Sequence, residues 1–247
     1  MGLRNRCPLV TMVLAAMPLT ASASDWQFRL TPYLWFAGLE GDLATIPGLP
    51  SAPVDISPSQ ALEDTEVGVM IMFDARRSAH GVYLDFIYTD VRSEEELIPQ
   101  LGLSVRSVSK STLFSAAYEY AFLQSATAGL EALIGARYWE VDSTLSFTGP
   151  LQLAGSNTED WIDPFIGIKG RTRLGDSRFY AAGGAGIGGF DVGSKLFYEL
   201  NLNVGYLWND AIGTAIGYRL LDVDYDDSGF VYDVEQAGWQ LSLSWSF

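Results

Sequence analysis

The side chains best equipped for chemistry are Arg29, Asp74, Arg76, Asp85, Glu119, Glu131, Arg137, Asp163, Lys169, Arg171, Glu199 and Arg219. Each falls on the polar side of a segment in which polar and apolar residues alternate. A period of two sends successive side chains to opposite faces of a strand, so these twelve would share one face, with both signs in similar number. Charges held away from bulk water must pair or be hydrogen-bonded, because an isolated buried ion is strongly disfavoured. Two readings follow: an interior salt-bridge network that fills a narrow enclosure, or a polar pathway for small solutes.

Little else is arranged for catalysis. The sole histidine, His80, falls in RSAHG (Arg77–Gly81), a breaker-rich stretch that predicts a short turn. A carboxylate-only acid–base site is chemically sufficient, but no pair stands apart from the larger charged set, so no enzymatic activity is predicted. Asp222–Gly229 (DVDYDDSG) has the alternating carboxylates of a calcium loop, yet Asp227 stands where such a loop needs its glycine. These carboxylates, like Glu94, Glu95 and Glu96, read as solvated, with bound divalent cations as the alternative. Ala181–Gly189 (AAGGAGIGG) lacks a following Lys-Ser/Thr and is not a nucleotide loop. Its small residues, and those of Ala211–Gly217, relieve bulk either for curvature or for a ligand-lined cavity. No cofactor is predicted.

The elements that must position these residues are strands. In LFYELNLNVGYLW, Leu196, Tyr198, Leu200, Leu202, Val204, Tyr206 and Trp208 take one face, and Phe197, Glu199, Asn201, Asn203 and Gly205 the other. The same dyad runs through residues 27–38, where Phe28, Leu30, Pro32, Leu34 and Phe36 oppose Arg29, Thr31, Tyr33 and Trp35. It recurs in 66–76 and 82–90, and further strands are predicted near 107–121, 127–141, 161–172, 179–190, 211–225 and 234–247. That makes ten, with eight or twelve if hairpins merge or split, each about the length that a tilted strand needs to cross a bilayer. Short turns fall at RSAHG, FLQSAT, LGDSR and WND, and long loops at 39–64, 92–106, 147–160 and 226–233. The first long loop carries Pro47, Pro50, Pro53 and Pro58, with a helix start at Ser57–Pro58; it is expected to fold over or into the mouth of the enclosure, with a mobile external loop as the equal alternative.

Of the 247 residues, 48% are hydrophobic, yet no apolar run after the first two dozen residues is long enough for a membrane-spanning helix. The opening combines Arg4 and Arg6, an apolar stretch from Pro8 to Leu19, and small residues at Ala21, Ser22 and Ala23. It predicts a secretory signal peptide, 1–23, cut after Ala23, leaving 24–247 as one domain. Cys7, the only cysteine, lies inside that leader, which excludes disulfides and cysteine-based metal sites from the remainder. Thirteen basic against thirty acidic residues then give a net charge near −17, which argues against a nucleic-acid partner. Aromatic residues near strand ends form a predicted interfacial girdle: Trp26, Tyr33 and Trp35; Tyr118, Tyr120 and Phe122; and Tyr206, Trp208, Trp239, Trp245 and Phe247.

The leader, the dyad strands, the alternation of short turns with long loops and the ending WQLSLSWSF resemble the small outer-membrane β-barrels of Gram-negative bacteria, the OmpA/OmpW-like barrels. The segments TPYLWFAGLEG and GYRLLDVDYDD are similar to those of exported barrels whose activity the resemblance does not supply. It implies an all-β, transmembrane, antiparallel up-and-down barrel in the outer membrane, with both termini periplasmic. Phe247, with Trp245, Leu243 and Leu241, resembles the signal read by the barrel-assembly machinery. The implied surroundings are outer-membrane lipid and lipopolysaccharide, with divalent cations at the outer acidic loops. The expected role is structural or surface-interacting, around a lumen filled by the charged network. A narrow porin-like channel for small or apolar solutes is the alternative, and a lipid-modifying or proteolytic barrel ranks third.

Overall fold

The computed structural model describes residues 26–46, 50–98, 103–149 and 153–247. The expected leader, 1–23, lies outside the described residues. The elements in chain order are β1 (Trp26–Ala44), β2 (Ala52–Ile56), α1 (Pro58–Asp64), β3 (Thr65–Arg77), β4 (His80–Ile98), β5 (Leu103–Gln124), β6 (Ala128–Thr148), β7 (Leu153–Arg173), β8 (Phe179–Gly189), β9 (Leu196–Leu207), β10 (Ile212–Asp227) and β11 (Phe230–Ser246). Every strand except β2 pairs antiparallel with its sequence neighbours around the wall, and β11 pairs back onto β1. The result is a closed barrel of ten antiparallel strands. Closure runs to the last residue, because Phe28 and Phe247 exchange both backbone hydrogen bonds at 3.0 Å. A closed sheet has no edge to leave unpaired, which lets strands cross hydrocarbon.

The alternation decides which way each side chain points. Ile134, Leu202 and Trp239 are 61%, 64% and 60% exposed on the outer face. So continuous a band of large apolar residues is untenable against water and suits lipid. Among the described residues no helix is long and apolar enough to cross a membrane, so the strands carry that face. Tyr118, Tyr120, Phe122, Trp208, Trp239, Trp245 and Phe247 are exposed on it. Tyr33 and Trp35 are not part of it: they share the parity of Arg29 and are buried inside the barrel.

In their described residues, three of the four expected long loops are mostly strand. β4 and β5 pair from His80↔Tyr120 up to Ile98↔Leu103, β6 and β7 pair up to Phe147↔Leu153, and β10 and β11 close at Asp227↔Phe230. Above the lipid belt both faces of a hairpin meet water, so polar residues no longer mark the end of a strand. Val, Thr and Ser on 103–112 and 141–148 keep the chain extended.

In its described residues the fourth loop reaches the opposite wall at Ile46, whose Cγ2 lies 2.9 Å from where a Cβ on Gly155 of β7 would stand, and otherwise builds on the rim. β2 extends the sheet beside β1, with Leu39↔Ile56 to Leu43↔Ala52 in register. Ser57 then caps α1 through a capping box with Gln60, as Ser57–Pro58 predicted, and α1 buries none of its residues. Below this insertion, β1 and β3 pair only from Trp26↔Arg77 to Pro32↔Ile71. Pro32 has no N–H to donate, and the β1–β11 register also skips from Leu30 to Tyr33 around it. Glu66, Val67, Gly68 and Val69 of β3 are consequently all exposed, on both faces of the strand.

Candidate functional site

The interior is layered. At the long-loop end lies an aromatic layer built from Trp139 and Val141 of β6, Trp161 of β7, Phe197 of β9, Tyr225 of β10, and Phe230 and Tyr232 of β11. Trp161 stacks on Tyr225 with ring centroids 3.9 Å apart and on Trp139 at 5.5 Å. The rings are held by parity: Trp139, Trp161, Phe197 and Tyr225 each sit two or more residues above a charged lumen position on their own strand, and Phe230 and Tyr232 share the inward face of β11 with Gln240. Eight strands leave an interior just wide enough for side chains to fill, and with ten the extra width is taken by indoles and phenols.

Beneath the rings is an ionic layer. Arg219 on β10 donates to Tyr33 Oη at 2.9 Å, Asp85 Oδ2 at 3.0 Å and Glu199 Oε2 at 3.1 Å. Arg137 on β6 donates to the same Glu199 oxygen at 2.9 Å and to Ser115 Oγ at 2.8 Å, and Tyr33 donates to Asp85 at 2.8 Å. Arg137 and Arg219 are each 1% exposed, so their pairing with carboxylates is obligatory. Asp163 is fully buried without a cation. It accepts hydrogen bonds from Ser194 N at 2.6 Å, Ser194 Oγ at 2.7 Å and Trp161 Nε1 at 3.2 Å. Ser194 belongs to the connection between β8 and β9, where Phe190 and Asp191 take positive φ and turn the chain inward.

The short-turn end is open. A cavity of about 750 Å³ is lined there by Arg29, Asp74, Arg76, Glu119, Glu131, Lys169 and Arg171, against the small-residue strand β8. Lys169 pairs with Asp74 and, at 2.7 Å, with Glu119; Arg76 pairs with Glu131 at 2.7 Å. All twelve charged residues singled out in the sequence therefore point inward, but they form two groups. Asp85, Arg137, Asp163, Glu199 and Arg219 are close-packed at mid-height, and the other seven surround open space.

The charged network alone does not fill the barrel, contrary to expectation. The aromatic layer fills the outer half; of its residues the sequence reading places only Phe197 on the inward face, and the others, with Ser194, escape it. Their signal was present: Trp139 and Val141 follow Arg137, and Leu221, Val223 and Tyr225 follow Arg219, at steps of two on the same face. His80 lies at the short-turn end, hydrogen-bonded to Tyr118 and tilted against Tyr120, away from both layers. Among the described residues no three His, Cys, Asp or Glu side chains are grouped to hold a metal ion.

The barrel is similar to the outer membrane protease OmpT from Escherichia coli, at TM-score 0.54 and 12% identity, over 93% of this chain and 99% of that one. The attachment invasion locus protein Ail of Yersinia pestis gives TM-score 0.40 and 11% identity, over 90% and 98%. Neisserial surface protein A gives 0.32 and 12%, over 92% and 100%. No family model and no curated protein matches the chain. The likeness to OmpT is one of fold: the chain is a closed β-barrel of the outer-membrane type.

Proposed function

We propose that the protein is an integral outer-membrane barrel, exported by a leader cut after Ala23, with its short turns and both termini in the periplasm. Its role is structural or surface-interacting, carried by the hairpins that rise above the lipid belt, and it is not an enzyme. The observation that carries this reading is the stack of Trp161 on Tyr225 above the Arg219–Asp85–Glu199 layer, which closes the lumen with groups excluded from water. The narrow-channel alternative draws on the 750 Å³ cavity, but a solute would have to displace both layers to pass from it to the long-loop end.

The outer face supports the expected surroundings. The registers set Glu235 between Glu40 and Asp222, and Asp233 between Asp42 and Asp224, two rows of carboxylates across the closing strands. Like charges directly opposite repel, and divalent cations shared with lipopolysaccharide phosphates would relieve them. Leu241, Leu243, Trp245 and Phe247 face outward on the strand that closes the wall, in keeping with a role as the segment that the assembly machinery reads.

Two measurements test the reading. Beyond the leader the chain is cysteine-free, so Asp227→Cys and Asp176→Cys report on opposite ends. An impermeant maleimide should label the first and not the second on intact cells, and the reverse would overturn the orientation. Proteoliposomes should swell no faster in small sugars than protein-free vesicles; rapid swelling would overturn the closed lumen.

A further inference from the structure

The charges around the open end of the lumen are not all paired. Asp74, Glu119 and Glu131 are engaged by Lys169 and Arg76. Asp74 is the cross-strand neighbour of Arg29, yet its carboxylate is paired across the lumen with Lys169. Arg29 and Arg171 line the same cavity, and among the described residues neither has a carboxylate at ion-pair distance. Arg29 Nε and Arg171 Nη2 are shielded from solvent and have no hydrogen-bond partner.

Arg171 is held without being neutralised. Its guanidinium lies 3.6 Å from the centroid of the Tyr180 ring. That ring occupies the space over Gly205, where a Cβ would stand 2.2 Å from it. Stacking fixes the plane of a guanidinium and leaves its fork of N–H donors free. The formal charges that act on Arg171 are two more arginines, Arg29 and Arg173. Among the described residues, Arg29 and Arg171 are thus cations that line the cavity without a carboxylate in contact. Asn203 Oδ1 and Gln240 Oε1 are buried acceptors without donors, on residues that line the same cavity. Two unspent cations and two unspent acceptors are complementary to one chemistry, an anion that also bears hydroxyl groups.

We propose that the cavity at the short-turn end binds a small hydroxylated anion, a carboxylate or a phosphate ester, with Arg29 and Arg171 taking the charge and Asn203 and Gln240 accepting from its hydroxyls. The volume suits a small molecule, and the layer of Arg219 and Glu199 forms its inner wall, so the ligand enters and leaves by the short-turn end. This assignment stands whether or not the barrel conducts.

Isothermal titration of the refolded full chain in non-ionic detergent tests it, with glycerol 3-phosphate, gluconate and uncharged glycerol as probes. Saturable binding of either anion, and none of glycerol, is expected, and which anion binds tells phosphate from carboxylate. Arg29→Gln and Arg171→Gln should each weaken that binding at least tenfold. Lys195→Gln, the same charge change at the far end of the barrel, should leave it intact. Arg171→Lys should retain part of the affinity, and added salt should lower it in the unaltered protein, a readout that survives if a Gln variant fails to fold. Absence of saturable anion binding by folded protein, equal binding of glycerol, or unchanged affinity in both Gln variants would overturn the assignment.

Discussion

Trp161 and Tyr225 face each other across the outer end of the lumen, ring centroids 3.9 Å apart and planes within 10°. They come from β7 and β10, strands that are not neighbours in the wall, so the stack ties one side of the barrel to the other. Such a pair contributes about 0.5–1.5 kcal/mol beyond its buried area. Its functional weight is larger, because it stands where an open pore would have to run.

The ionic layer under the stack should be costly to break. Arg219→Met leaves Asp85 without its cation and strips Glu199 of one of its two, and removing one partner of a buried pair typically costs about 3–5 kcal/mol. Urea unfolding followed by loss of heat-modifiable mobility should show a shift of that order. Lys195→Met removes the exposed pair with Asp224 and should not move the midpoint measurably. Equal effects from the two would contradict the assignment of Arg219 as the keystone.

Glycines on the wall should separate sharply in tolerance. A Cβ at Gly238 would sit 1.8 Å from the carbonyl oxygen of Phe36 on the closing strand, a backbone atom that cannot swing away. A Cβ at Gly68 meets only Thr65 Cγ2, at 3.9 Å. Gly238→Ala should cost about 1–3 kcal/mol or more, in the manner of an overpacked core, and reduce the yield of folded barrel. Gly68→Ala should be neutral in the same assay, since β1 and β3 are unpaired at that height.

The acidic rows make the outer end of β10 and β11 sensitive to pH. Burial, then the carboxylates of Asp224 and Asp42, hold the Asp233 carboxyl above its ordinary range; burial, Asp233 and Glu235 do the same for Asp222. A carboxyl raised on folding disfavours the folded state while ionised, and that penalty is relieved as pH falls through the raised pKa. Hydrogen exchange at Val231 and Val234, taken relative to the intrinsic amide rate at each pH, should therefore slow on acidification from neutrality. Asp233→Asn should slow it at neutral pH and flatten the dependence. Magnesium should act in the same direction and chelator in the opposite one, and faster exchange on acidification would contradict the account.

Phe247 offers a test of the closing strand. Deleting it removes both hydrogen bonds to Phe28 together with the ring that stacks on Phe28 at 5.6 Å. Phe247→Ala removes only the ring. Deletion should lower the amount of heat-modifiable barrel in the outer membrane severely. The alanine variant should also lower it if the assembly machinery reads the ring, and should leave it near normal if backbone closure is all that matters.

The wall was legible in the sequence because period two leaves little freedom: once Leu196 to Trp208 face lipid, Glu199 and Asn201 must face inward. Its reach beyond the lipid was not, since the alternation signal depends on one face being apolar, and above the belt Glu94 and Arg106 are opposed simply as two polar residues on a hairpin. Tyr33 and Trp35 were drawn into the aromatic girdle by residue type although their parity with Arg29 placed them inside. The Trp161–Tyr225 stack escaped for a related reason: an apolar residue at a lumen position looks like noise in a polar face until the far wall is in place to meet it. The lack of a carboxylate in contact with Arg29 or Arg171 was hidden because pairing depends on which carboxylate each cation reaches across the lumen, and strand order alone does not supply those distances.

Single-channel recording in planar bilayers tests the closed lumen most directly, comparing the refolded protein with a Trp161→Ala, Tyr225→Ala double variant shown to be folded. The account predicts no discrete openings in the unaltered protein and openings only after the stack is removed. Steady discrete openings in the unaltered protein would contradict it and make the barrel a channel.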